Sequence, residues 1–206
     1  LAGRAALRLG SGRVYLGLID AQAPQVDPLQ PELMLRQPEE LLTAVLTALA
    51  CGPGMAGGER ALALLEQACT LDMPLLLDAD ALNLLASHRQ LQEAVAGRAA
   101  RGVATLLTPH PAEAARLLAG DTAQVQADRA AAALAIAARY QALVVVKGCG
   151  SIVATPDGRC FVNTTGNPGL ASAGTGNVLS GLIVALLAQG WPALEALLAG
   201  VHLHGT

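Results

Sequence analysis

Along the chain, short apolar runs alternate with longer segments whose apolar residues recur at helical spacing. The short runs predict strands over residues 14–19, 45–50, 74–78, 104–108, 143–147, 151–155 and 160–163. The longer segments predict helices over residues 58–70, 81–87, 111–118, 125–140, 177–189 and 192–202. Strand and helix in that alternation mean βαβ units, hence an α/β fold built on a mostly parallel sheet. One segment departs from the rhythm. Pro156, Asp157, Gly158 and Arg159 are a turn signal between two β-prone runs, which predicts an antiparallel hairpin just before a glycine-rich loop.

Composition bears on this picture at a few points. The 206 residues suit one domain. Hydrophobic residues reach 53% and charged residues only 14%, with a mean hydropathy of +0.46, so a membrane reading needs testing. The longest apolar stretch, residues 178–188, is interrupted by Ser180 and Gly181 and is too short to span a bilayer. No basic segment followed by an apolar one opens the chain. A net charge of -3, 2% aromatics and scattered arginines supply no basic stripe, so neither nucleic acid nor an anionic membrane is an expected partner. Cys51, Cys69, Cys149 and Cys160 lie far apart with no CxxC pair, which argues against a zinc site and a disulfide framework and for a reducing cytoplasm.

The strongest chemical signal is Gly166, Asn167, Pro168 and Gly169 followed by Gly174, Thr175, Gly176 and Asn177, running into a helix. Glycines let backbone N–H groups face a ligand, and a helix start adds unpaired N–H groups and the positive dipole end. Together they predict a phosphate-sized anion hole. The segment lacks the Gly-Lys-Ser/Thr of a P-loop and the spacing of GxGxxG. Asn177 is either the helix cap or a substrate contact, since an amide orients a hydroxyl but cannot take its proton. Lys147 ends an apolar strand before Gly148, Cys149, Gly150 and Ser151, and either meets phosphate or snorkels from the core edge. His110 lies between Pro109 and Pro111 at a strand end, as a ligand contact or a structural histidine, with Glu113 serving the next helix N-terminus. Asp78, Asp80 and Asn83 follow another strand, where carboxylates hold a substrate hydroxyl or hydrated magnesium, or where Asp80 simply caps a helix. Gly52, Pro53 and Gly54 form a further strand-end turn suited to close ligand approach. His202 and His204 have no third ligand nearby, so no metal site is expected there.

In this order, Gly52-Pro53-Gly54, Asp78-Ala79-Asp80-Ala81-Leu82-Asn83, Thr108-Pro109-His110-Pro111-Ala112-Glu113, Val146-Lys147-Gly148 and Gly166 to Gly176 resemble the ADP/ATP-dependent NAD(P)H-hydrate dehydratases. That family is ribokinase-like, often described as carbohydrate kinases. The resemblance implies three layers, with helices on both faces of the sheet and a small β-hairpin, in one domain over residues 1–206. It also implies that the family's first strand and last helix lie outside these residues. The implied activity is ADP- or ATP-dependent dehydration of the 6S hydrate of NADH or NADPH, by phosphoryl transfer to the ring hydroxyl and elimination of phosphate, with Mg2+. Carried over by position, Lys147, Gly148, Cys149, Gly150, Ser151, Gly174 and Gly176 contact the adenine nucleotide. Gly54 and His110 contact the hydrated dinucleotide, alongside Asp80 and Asn83. A homo-oligomer is implied as well. Asn177 stands where the family has an aspartate that activates the hydroxyl, and loss of a positioned base costs about 10²–10⁴-fold. Asp80 is an alternative base. The competing expectations are a ribokinase-like kinase for a small alcohol and a nucleotide-binding homologue with impaired catalysis.

Overall fold

The structure, a computed structural model, describes residues 1–206. Its elements run α1 (Ala2–Arg8), β1 (Tyr15–Gly17), β2 (Met34–Arg36), α2 (Pro38–Leu42), β3 (Leu49–Cys51), α3 (Glu59–Thr70), β4 (Leu75–Leu77), α4 (Asp80–Ser87), α5 (Arg89–Gly97), β5 (Thr105–Leu107), α6 (Pro111–Leu118), α7 (Thr122–Ala127), α8 (Arg129–Tyr140), β6 (Leu143–Val146), β7 (Ile152–Ala154), β8 (Cys160–Val162), α9 (Thr175–Ala188) and α10 (Ala193–Gly205). The main sheet has the order β3-β4-β5-β6-β7-β8. Its first four strands are parallel, while β7 and β8 join antiparallel.

Side chains alternate across a strand, and that alternation divides the core into two layers. Leu75, Leu77, Leu107, Val144 and Val146 face one way, against helices that include α3, α4, α6 and α8. Leu76, Leu106, Val145 and Val153 face the other way, against Leu179, Ile183, Leu197 and Val201 of α9 and α10. A sheet buried on both faces needs apolar residues at every position, which is why β4 and β6 appear as unbroken Leu and Val runs. The three layers follow directly.

Several expected boundaries shift. The run at 45–50 pairs only from Leu49 to Cys51, where β4 offers partners, and Val45 is exposed. The helix expected over 125–140 breaks at Asp128, whose carboxylate accepts the N–H of Ala131 and starts α8 afresh. The hairpin forms as expected, with Gly158 at φ 90° in its turn. The short helices α1, α2 and α5 and strand β2 have no counterpart in the sequence expectation. A small parallel pair, β1-β2, stands apart from the main sheet. Between β1 and β3 runs an apolar groove of about 540 Å³, lined by residues that include Leu16, Leu18, Leu49 and Cys51. No helix is long and apolar enough to cross a membrane.

All four cysteines are free. Burial pushes the Cys51 thiol up to about 12 and the Cys69 thiol up to about 11, whereas Cys149 and Cys160 are exposed. Because the thiolate is the reactive form, a disulfide reagent at about pH 8 is expected to modify only Cys149 and Cys160 promptly in the native protein. Prompt modification of all four without denaturant would contradict this packing.

Candidate functional site

Parallel strands that end side by side deliver their following residues to one rim, and here that rim holds the ionisable groups. Asp78 follows β4 and is only 1% exposed. Its Oδ1 accepts from Lys147 Nζ at 2.8 Å, and its Oδ2 accepts from Ser180 Oγ of α9 at 2.7 Å. Lys147 follows β6, and its backbone N–H donates to the Pro109 carbonyl at 2.8 Å, fixing the strand end. Glu113, buried in the first turn of α6, brings Oε2 to 3.9 Å from the same ammonium. Gly52 packs so closely on this turn that a Cβ would overlap the Asp78 carbonyl oxygen.

The chain opens α9 with Gly174 at the cap position, φ 90°. Asn177 is therefore the third helical residue, and the expectation that it caps the helix is not met. A left-handed glycine turns the chain into the helix before Asn177 is reached. The Asn177 side chain is half-buried and forms no hydrogen bond within the chain. Gly176 lies over the ion pair, where a Cβ would come 3.3 Å from Lys147 Nζ and 4.0 Å from Asp78 Oδ2. His204 of α10 meets the Thr175 carbonyl through Nε2 at 2.9 Å, and burial lowers its pKa from the usual histidine range.

His110 does structural work. It caps α6, its Nδ1 accepting from the N–H groups of Ala112 (3.1 Å) and Glu113 (3.3 Å), while Glu113 Oε2 accepts from the His110 N–H at 2.8 Å. This is a capping box with histidine in the usual serine place. Its Nε2 faces Glu113 Oε1 at 3.3 Å, which links it to the Lys147 cluster, and the ring stays exposed at the rim. Asp80 is not the cap of α4, because Ala79 holds that position at φ 50°. Instead Asp80 Oδ2 accepts from the Ala56 N–H at 2.8 Å and so pins the loop that carries Gly54. Ala56 also has a positive φ, 56°, so two strained alanines flank this bond. Asn83 is exposed, and its Oδ1 accepts from Arg116 at 2.7 Å, outside the cluster.

The turn after Lys147 closes on itself, with Ser151 Oγ donating to the Gly148 carbonyl at 3.0 Å and accepting the Gly148 N–H at 3.2 Å. Arg129 lies over this turn and donates to the Cys149 carbonyl. Sequence reasoning missed Arg129 and Ser180, which carry no local motif. Their distance along the chain, 20 residues from Cys149 and 102 from Asp78, explains why.

The profile of the NAD(P)H-hydrate dehydratase family matches residues 1–206. The chain belongs to this family. It is similar to the ADP-dependent (S)-NAD(P)H-hydrate dehydratase of Neisseria meningitidis, at 46% identity over 100% of this chain and 69% of that protein. Among solved structures it is similar to the ADP/ATP-dependent NAD(P)H-hydrate dehydratase of Bacillus subtilis co-crystallized with ATP/Mg2+. That match has a TM-score of 0.80 and 31% identity, over 99% of this chain and 72% of that one. A hydroxyethylthiazole kinase from Pyrococcus horikoshii shares the fold, at TM-score 0.59 and 18% identity over 97% of this chain and 81% of that one. The ribokinase-like architecture expected from the sequence is therefore the one observed. Within this dehydratase-family chain no group of three His, Cys, Asp or Glu side chains is arranged to hold a metal ion. Asp78, read from the sequence as a candidate magnesium or hydroxyl ligand, directs its two oxygens to Lys147 and Ser180.

Proposed function

We propose that this chain dehydrates the 6S hydrate of NADH or NADPH at the expense of ADP or ATP. The observation that carries the reading is the Lys147 ammonium anchored on Asp78 beneath the first turn of α9, with Gly176 leaving the space above it open. Phosphoryl transfer depends on positioning and on charge stabilisation rather than on covalent protein chemistry. The N–H groups at Gly174, Gly176 and Asn177 and the Lys147 ammonium stabilise the charge on the transferred group. The terminal P–O bond of the nucleotide breaks as the ring hydroxyl oxygen takes the phosphoryl group and releases its proton to solvent, Asn177 having no basic atom to take it. Phosphate then leaves with the C–O bonding electrons, while the neighbouring ring carbon loses a proton and the double bond returns. ADP yields AMP, and ATP yields ADP.

In this reading the turn from Lys147 to Ser151, including Gly148, Cys149 and Gly150, holds the nucleotide with Mg2+ on its phosphates. Gly54, His110 and the Asp80-pinned loop border the hydrated dinucleotide. Asn177 orients the hydroxyl without accepting its proton. A second reading, nucleotide binding with little turnover, is favoured by Asn177 alone. A cytoplasmic setting and a homo-oligomer accompany the proposal. Incubation with ADP or ATP and hydrated NADH tests it. Recovery of NADH absorbance with stoichiometric phosphate release supports dehydration. A phosphorylated alcohol without NADH recovery would indicate a kinase, and bound nucleotide without turnover would indicate the second reading.

A further inference from the structure

A buried carboxylate with 1% exposure is retained only when its charge is fully met, and Asp78 meets that condition in a particular way. One oxygen takes the Lys147 ammonium and the other takes the Ser180 hydroxyl, so the carboxylate can rotate toward neither solvent nor ligand. Lys147, by contrast, keeps 20% of its side chain exposed. An ammonium has three donors. One goes to Asp78, and Glu113 at 3.9 Å is beyond hydrogen-bond range, so two donors remain for an incoming anion. Ser180 belongs to α9 itself, and its bond to Asp78 joins the ion pair to the helix whose N-terminus forms the anion hole.

We propose that Asp78 is a positioning residue for this reaction: locked by Ser180, it fixes the Lys147 ammonium under the first turn of α9, where the phosphoryl group passes. The inference rests on the nucleotide-dependent reading above. Asp78 is negative and close to the phosphate path, so it does not help an anion bind in the ground state. Its contribution is geometric, and misplacement of about 1 Å costs roughly 10²-fold in rate. Removing its charge therefore separates affinity from turnover, which a purely structural residue does not do.

The test is a cycle of Asp78→Asn, Lys147→Met and the double variant, each titrated with ADP and melted. The rate arm is run in Asn177→Asp protein. Asp78→Asn is expected to bind ADP as tightly as the parent or tighter, while turnover falls about 100-fold. Lys147→Met is expected to weaken ADP binding about 10-fold or more and to lower the melting temperature, because Asp78 is then buried and unpaired. Adding Asp78→Asn to Lys147→Met restores part of that melting temperature and leaves turnover unchanged, the non-additivity of residues acting through one another. Weakened ADP binding in Asp78→Asn, or an equal loss with and without Lys147, overturns the inference while leaving the functional reading intact. Parent protein that binds neither ADP nor ATP overturns both. If Asn177→Asp protein turns over no faster than the parent, the rate arm is read on the parent protein's own turnover, where Asp78→Asn is expected to cause the same loss of about 100-fold.

Discussion

Asn177→Asp protein is expected to turn over about 10²–10⁴ times faster than the parent with ADP or ATP and hydrated NADH. Asn177 is the third residue of α9, half-buried beside the opening over Gly176, and its amide has no partner within the chain. An amide there places a hydroxyl but has no basic atom to take the proton, whereas a carboxylate of nearly equal size does both. The helix dipole favours a negative charge in the first turn by about 0.3–1 kcal/mol, so the substitution is not expected to destabilise the fold. The measurement is kcat by NADH recovery, with ADP affinity determined in parallel. A folded variant with unchanged kcat would show that proton transfer does not limit the reaction, and attention would pass to Asp80. That carboxylate is engaged with the Ala56 N–H, so Asp80→Asn is the control.

Arg98→Met is expected to destabilise the protein by about 3–5 kcal/mol, the largest single loss away from the site. Arg98 is fully buried with no carboxylate bonded to it. Its guanidinium donates to Thr105 Oγ1 at 2.8 Å and to the carbonyls of Cys69 (3.0 Å), Leu71 (2.8 Å) and Met73 (2.5 Å). Those carbonyls end α3 and form the turn into β4, so one planar five-donor group satisfies a helix terminus and ties it to β5. Burial lowers the Arg98 pKa below the ordinary arginine value, the direction expected where the charge is costly. Methionine fills the volume but orphans the Leu71 and Met73 carbonyls, at about 1–3 kcal/mol each. For a chain of this size the melting temperature should fall by about 6–20 °C. A shift within about 2 °C would mean that water replaces the guanidinium and that the bonds carry little net weight.

Both predictions concern residues whose importance the sequence conveys unequally. Asn177 is conspicuous because the glycine cluster before it marks a helix start. It nevertheless lies three positions beyond the cap, since Gly174, in a left-handed conformation, begins the helix earlier. Arg98 is invisible in sequence. It lies among alanines and glycines that set no periodic pattern, and nothing local shows that three carbonyls converge on it. His110 shows the same limit from the other side. Flanking prolines and Glu113 marked a constrained site, but only the fold showed its Nδ1 occupied by backbone N–H groups rather than by a ligand.

The sequence by itself determined the strand and helix rhythm, the unbroken apolar runs of β4 and β6, the hairpin and the glycine-rich approach to α9. Each depends on residues adjacent in the chain, where periodicity and backbone freedom act directly. Only the tertiary structure decided that Lys147 is bound to Asp78, 69 residues away, and that Ser180 locks the pair. It also decided that Asp80 pins a loop and that Asn83 stands outside the site. The reason is physical. Burial is what makes a carboxylate seek an ammonium, and burial depends on which strands lie side by side.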